Sequence, residues 1–257
     1  MYNSLASVYD YFVNWKSRLA FEKPFLLENL SKLGKDPSAI RVMETACGTG
    51  QHALALAREG YSVSGSDLSP QMVEMASAHA RESGLAVPFR IAGFGQIALV
   101  FADVEKFDAV LCLGNSLPHV HDCTALNETL WDFNQLLIAG GVLILQMRNF
   151  NSVLRTRNRW MDPQSVQEKN EEWLFFRFYD FEPDGMIRFN ILTLHREKQT
   201  PWVVSTSSTL LYPILSENLT TSLKDNGFTN IHLYGDMKAD SYHADVSGDL
   251  VVTAQKI

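Results

Sequence analysis

Short apolar runs alternate with segments of helical period between about residues 40 and 150. Ile40-Arg41-Val42-Met43-Glu44 reads as a buried strand that ends at a turn of small residues. Gln51 to Glu59 reads as a helix closed by Gly60. Tyr61 to Ser66 is a second strand, and Ser69-Pro70 opens a helix reaching about Glu82, with serine as N-cap and proline at the first helical position. Val87 to Ala92 and Phe107 to Leu113 give two more strands. Leu126, Leu130, Phe133 and Leu137 share one face of a helix from Asp122 to Ile138, which Gly140-Gly141 is expected to end before a fifth strand, Val142 to Leu145. This order predicts a parallel sheet covered on both faces.

The pattern changes after Phe150. Glu172 to Phe181, Met186 to Arg196 and Trp202 to Leu211 read as long strands, the first two joined at Pro183-Asp184-Gly185. Alternate aromatic positions in the first of them suit a lid wall or a contact between copies. A helix from Ser216 to Asn226 and strands at Phe228 to Tyr234 and Leu250 to Ala254 close the pattern. The fold class expected is α/β: a Rossmann-like, seven-stranded, mostly parallel sheet with helices on both faces. Within a single domain, residues 1–34 form a helical cap, 35–150 and 212–257 the core, and 151–211 an inserted antiparallel β element.

Composition narrows the partners. The chain has 257 residues, of which 46% are apolar, enough for a core without staples. Its 22 basic and 29 acidic side chains give a net charge of -7, which argues against coating a nucleic acid. No apolar stretch approaches the roughly 20 residues of a membrane span. Cys47, Cys112 and Cys123 are odd in number and lie among apolar residues, so small core residues in a reducing cytoplasm are expected. A homo-oligomer stays open.

The chemistry concentrates at turns that follow strands. Glu44-Thr45-Ala46-Cys47-Gly48-Thr49-Gly50 lets a ligand approach backbone N–H groups at a helix N-terminus. Asp67 ends the next strand, where a carboxylate can accept from ribose hydroxyls. Gly48-x-Gly50-x-x-Ala53 also satisfies a dinucleotide pattern, which carries a nicotinamide-dependent oxidoreductase as the rival reading. Glu44 counts against that rival, being suited to a cationic amine and repelling a pyrophosphate. A non-catalytic cofactor-binding protein is a third reading.

The segment from Glu44 to Gly50, together with Asp67 and Phe107-Asp108-Ala109-Val110-Leu111-Cys112-Leu113, resembles the class I S-adenosylmethionine-dependent methyltransferases. Leu113-Gly114-Asn115-Ser116-x-x-His119 with Arg148-Asn149-Phe150-Asn151 is similar to the glycine/sarcosine N-methyltransferase type. The resemblance implies S-adenosylmethionine as cofactor, bound by Arg18, Glu44, Ala46, Gly48, Gly50, Asp67, Leu68, Phe94 and Leu113. Phe94 stands in for an acidic residue that many members place near the adenine. For a small-molecule acceptor, an amine or amino-acid-like compound, it implies Tyr9, Asn115, His119 and Arg148. His119 is the candidate acid–base group, and no metal is expected.

Overall fold

The computed structural model describes residues 10–257. A helical stretch reaching Phe12 leads into α1 (Trp15–Ser31). The core then runs β1 (Arg41–Thr45), α2 (Gln51–Arg58), β2 (Ser62–Asp67), α3 (Pro70–Glu82), β3 (Phe89–Ile91), α4 (Ile97–Val100), β4 (Phe107–Cys112), α5 (Cys123–Leu136) and β5 (Leu137–Arg148). After α6 (Phe150–Thr156) come β6 (Gln164–Glu168), β7 (Glu171–Phe181), β8 (Ile187–Glu197) and β9 (Val203–Leu211). The chain returns to the core with α7 (Ser216–Asp225), β10 (Phe228–Tyr234) and β11 (Asp249–Lys256).

Seven strands form one sheet in the order β10-β11-β5-β4-β1-β2-β3. Only β11 runs against its neighbours, pairing antiparallel with both β5 and β10. Alternation along each strand sends side chains into two cores. Val42, Ala109, Leu111 and Ile144 join Phe25, Leu26 and Leu30 of α1 and Leu54 of α2. Met43, Val110, Cys112, Leu143 and Leu145 join Leu126, Leu130 and Phe133 of α5 and Leu219 of α7. This is the two-layer burial that a central parallel strand requires. Strand order reverses between β1 and β4, and the carboxyl ends of β1, β2, β4 and β5 meet at one rim.

A second, antiparallel sheet is ordered β6-β7-β8-β9. It packs on α6 through Phe150, Tyr179, Ile187 and Leu211, all buried. The N–H of Tyr212 donates to the Pro118 carbonyl at 2.8 Å, tying the end of β9 to the loop after β4.

Three expectations are corrected. Gly140-Gly141 does not end a helix: α5 stops at Leu136 and β5 starts at Leu137 with no loop. The register jumps from Phe107↔Leu137 to Ala109↔Val142, so the glycines lie in a bulge. A Cβ at Gly141 would sit 3.0 Å from the Ile138 carbonyl oxygen and 3.1 Å from that of Asp108, which explains glycine there. The polar run Gln164–Glu168 forms a fourth meander strand that the pattern did not suggest. Cys47 and Cys112 are buried, but Cys123 is exposed at the start of α5.

Candidate active site

The glycine-rich turn is left-handed at alternate residues, with φ of 50° at Ala46, 54° at Gly48 and 78° at Gly50. That repeat explains the small residues, since a side chain in this region is disfavoured by about 1–2 kcal/mol. Gly50 also lacks room: a Cβ would lie 2.8 Å from the Phe89 ring and 3.0 Å from the Ala76 Cβ. Asp67 accepts the N–H of Gly48 on Oδ2 and that of Ser69 on Oδ1, both at 2.9 Å. Burial raises its pKa, against the pull of those two N–H groups. Each oxygen keeps a lone pair for a further donor.

Glu44 is turned into the fold. It is 2% exposed, its Oε2 accepts the Ala53 N–H at 2.8 Å, and its Oε1 lies 3.2 Å from His52 Nδ1. A carboxylate at the start of α2 is held by free helix N–H groups rather than by solvent. The other ring nitrogen of His52 lies 2.5 Å from Glu22 Oε2, and Glu22 accepts Arg18 Nε at 3.1 Å. A buried chain Arg18–Glu22–His52–Glu44 therefore joins α1 to the glycine-rich turn. His52 and Glu22 carried no signal in the sequence, because each pairs only through the fold.

On the other side of the rim, Gly114 and Asn115 are consecutive left-handed residues, with φ of 73° and 64°. The Gly114 N–H donates to Gln146 Oε1 at 2.7 Å, and Gln146 Nε2 donates to Asp249 Oδ2 at 3.0 Å. Asp249 Oδ1 accepts Arg148 Nη1 at 2.9 Å, and the Arg148 N–H returns to Asn115 Oδ1 at 2.9 Å. This closed network fixes Asn115 and Arg148 against each other. It engages the Asn115 side-chain oxygen and leaves its amide nitrogen. Asn149 and Asn151 turn the other way, and both accept the Tyr242 hydroxyl.

Arg18, Glu22, Gly114, Asn115, Gln146, Arg148 and Asp249 line one cavity of about 770 Å³, whose far wall includes Phe12 and, from the antiparallel sheet, Arg177, Tyr179, Phe189 and Ile191. A smaller cavity of about 250 Å³, near Asn29, Val142 and Gln255, lies at the opposite end of the sheet, where β5 pairs with the last residues of β11.

Among the remaining expected residues, Leu113 is buried, while Leu68 is 72% exposed beside Gly93. Half-buried Phe94 packs edge-on against Phe133, with ring centroids 5.8 Å apart. His119 lies in the loop after β4, and the residues lining the cavity do not include it. Burial holds its pKa down at about 4, so it is neutral at physiological pH. Tyr9 lies outside the described residues. Its neighbour Asp10 accepts Thr49 Oγ1 and Trp15 Nε1, each at 2.7 Å, which ties Asp10 to the glycine-rich turn.

A doubly covered parallel sheet, with a left-handed small-residue turn and an acid after β2, defines a nucleotide-type ligand site at the switch point. A family model described as a methyltransferase domain matches residues 42–141. A glycine/sarcosine N-methyltransferase of Aphanothece halophytica is 27% identical, with 96% of this chain and 86% of that protein covered. A glycine/sarcosine/dimethylglycine N-methyltransferase of Actinopolyspora halophila is 28% identical over 96% of this chain, which spans 41% of that protein's length. The crystal structure of an S-adenosylmethionine-dependent methyltransferase from Clostridium acetobutylicum shares the fold, with a TM-score of 0.78 at 17% identity, covering 99% and 98% of the two chains. The chain thus matches a methyltransferase domain over residues 42–141 and shares its fold with S-adenosylmethionine-dependent methyltransferases. That kinship favours S-adenosylmethionine as the ligand left open by the glycine-rich turn.

The residues present fit that cofactor. A Cβ at Gly114 would sit 3.2 Å from Arg18 Nη2, so the guanidinium passes over bare backbone at the rim. Asp67 retains acceptor capacity beside a turn with no side chain beyond Cβ at three alternate positions. Exposed Leu68 and half-buried Phe94 flank Gly93 with apolar surface suited to a base.

Proposed function

We propose that the protein methylates the nitrogen of a small amine, amino-acid-like in type. The observation that carries this reading is the network that locks Asn115 and Arg148 side by side in the cavity that also holds Arg18. The names of the relatives support it, since one is a glycine/sarcosine and the other a glycine/sarcosine/dimethylglycine N-methyltransferase.

When bound, the cofactor supplies a methyl group on a sulfonium sulfur, so the protein needs no covalent nucleophile. Arg18 receives the cofactor carboxylate through its Nη groups, with Nε held by Glu22. Asp67 accepts from the ribose hydroxyls, and Ala46, Gly48 and Gly50 let the ligand reach the backbone. Leu68 and Phe94 enclose the base, and Leu113 backs the turn. The Asn115 amide and the remaining Arg148 nitrogens would donate to acceptor oxygens and so orient its nitrogen within the cavity. The amine binds neutral, and the proton it sheds after transfer passes to solvent. Residues 151–211 act as a wall over the acceptor, excluding water and restricting approach. Neutral His119 has no required part in proton transfer.

The test is a panel of small amines, each paired with its hydroxy analogue, assayed for S-adenosylhomocysteine release. Turnover confined to amines is expected; turnover confined to the hydroxy compounds would overturn the nitrogen assignment.

A further inference from the structure

One cation of the cavity stands outside the networks above. Arg177 lies on the inner face of β7, in alternation with Trp173, Phe175 and Tyr179, and opposite Ile191 of β8. Its Nε is buried without a hydrogen-bond partner, and it joins no ion pair among the described residues. The Phe12 ring, 5.0 Å from its central carbon, meets the face of the guanidinium but cannot accept its in-plane N–H groups. Exposed Asp162 acts on it only at longer range.

The other two cavity arginines are committed: Arg18 Nε to Glu22, and Arg148 Nη1 to Asp249. Burial, reinforced by the like charge of Arg148, lowers the pKa of Arg177. A guanidinium stays charged at neutral pH even so. Three arginines thus line one cavity, and the Nε of Arg177 is a buried donor with no acceptor among the described residues. Removing a charge from water without a counter-ion is unfavourable, and a planar donor fork matches an oxyanion.

We propose that Arg177 is an oxyanion subsite for the acceptor, binding a carboxylate or phosphate group of the amine with Arg148 as second cation. This rests on the amine reading above and narrows it to amines that carry an acid. It also gives the antiparallel sheet a part in choosing the acceptor, because Arg177 is the cavity cation carried on that sheet.

The test is calorimetric titration of the full chain saturated with S-adenosylhomocysteine. The probes are glycine against glycinamide, and glucosamine 6-phosphate against glucosamine, so that carboxylate and phosphate are distinguished. At least one acid is expected to bind roughly tenfold or more tightly than its uncharged-oxygen counterpart. Arg177→Met should erase that preference and leave the affinity for S-adenosylhomocysteine within about twofold. Arg177→Lys, which keeps charge and stem, serves if the methionine variant fails to fold, and should retain only part of the preference. Equal binding of acid and counterpart by the wild-type chain, or a preference that survives both substitutions, would overturn the proposal. Methyl transfer is followed in the same samples. Its absence from every amine counts against the amine reading alone, since the Arg177 result is read from binding.

Discussion

Replacing His52 with leucine tests the buried chain that couples α1 to the glycine-rich turn. The side chains of Glu22, His52 and Glu44 are 8%, 4% and 3% exposed, so solvent cannot compensate either carboxylate when the imidazole is lost. Breaking a buried ion pair on one side costs about 3–5 kcal/mol. Here Glu22 keeps Arg18 and Glu44 keeps the Ala53 N–H, which places the expected loss near the lower bound. A loss of about 3 kcal/mol is roughly a 150-fold change in the unfolding constant, or a fall in Tm of about 6–12 °C for a chain of this size. Burial alone would lower the pKa of His52, but its hydrogen bonds to the Glu22 and Glu44 carboxylates override it and raise the pKa above the ordinary 6.5. A raised histidine contributes stability that is complete below 6.5 and is lost as pH rises through the folded-state value. Burial alone would raise the Glu22 pKa, but His52 and Arg18 lower it below 4.5, so its contribution is present above 4.5 and lost as pH falls. The gap between wild type and His52→Leu should therefore be widest between 4.5 and 6.5 and shrink toward alkaline pH. Urea unfolding followed by circular dichroism across that range measures it. A loss below about 1 kcal/mol, or a gap that widens above neutral pH, would refute the coupled chain.

Other substitutions probe the remaining parts. Gly50→Ala forces a left-handed alanine into contact with Phe89 and Ala76. It should cost about 2–4 kcal/mol in thermal unfolding, from conformation and overpacking together. Ala46→Gly relieves a left-handed alanine and should stabilise by up to about 1 kcal/mol in the same assay. Gln146→Leu leaves the Gly114 N–H without its acceptor and should cost about 1–3 kcal/mol in urea unfolding. His119→Gln should leave the pH profile of kcat/KM unchanged around neutrality, because a group with a pKa of about 4 does not titrate there.

Much of the core was legible because its signals are local. The apolar runs at Val42–Met43 and Ala109–Cys112 are strands buried on both faces, and the small residues at 46, 48 and 50 mark the turn whose backbone is left-handed at those positions. Asp67 stands where a strand end meets a capped helix, so its place was also readable. The misread Gly140-Gly141 shows the limit of local rules: a glycine pair serves a bulge as readily as a helix end, and only the register with β4 decides. Glu44 shows another, since its acidity was plain but its direction was set by α2 and His52. The contacts that shape the cavity are long-range. Gln146 meets Asp249 across 103 residues, and Arg148 meets it across 101. Arg177 looks like one polar position in an aromatic strand until its face is seen to turn toward the site.

The proposed site of S-adenosylmethionine is the rim formed by the glycine-rich turn, Asp67 and the Arg18–Gly114 crossing. Calorimetric titration of the protein with S-adenosylmethionine and S-adenosylhomocysteine tests it most directly, with Asp67→Ala run alongside. One site per chain is expected for each ligand, with affinity falling roughly tenfold or more when the Asp67 carboxylate is removed. No binding of either ligand, or unchanged affinity in Asp67→Ala, would contradict it.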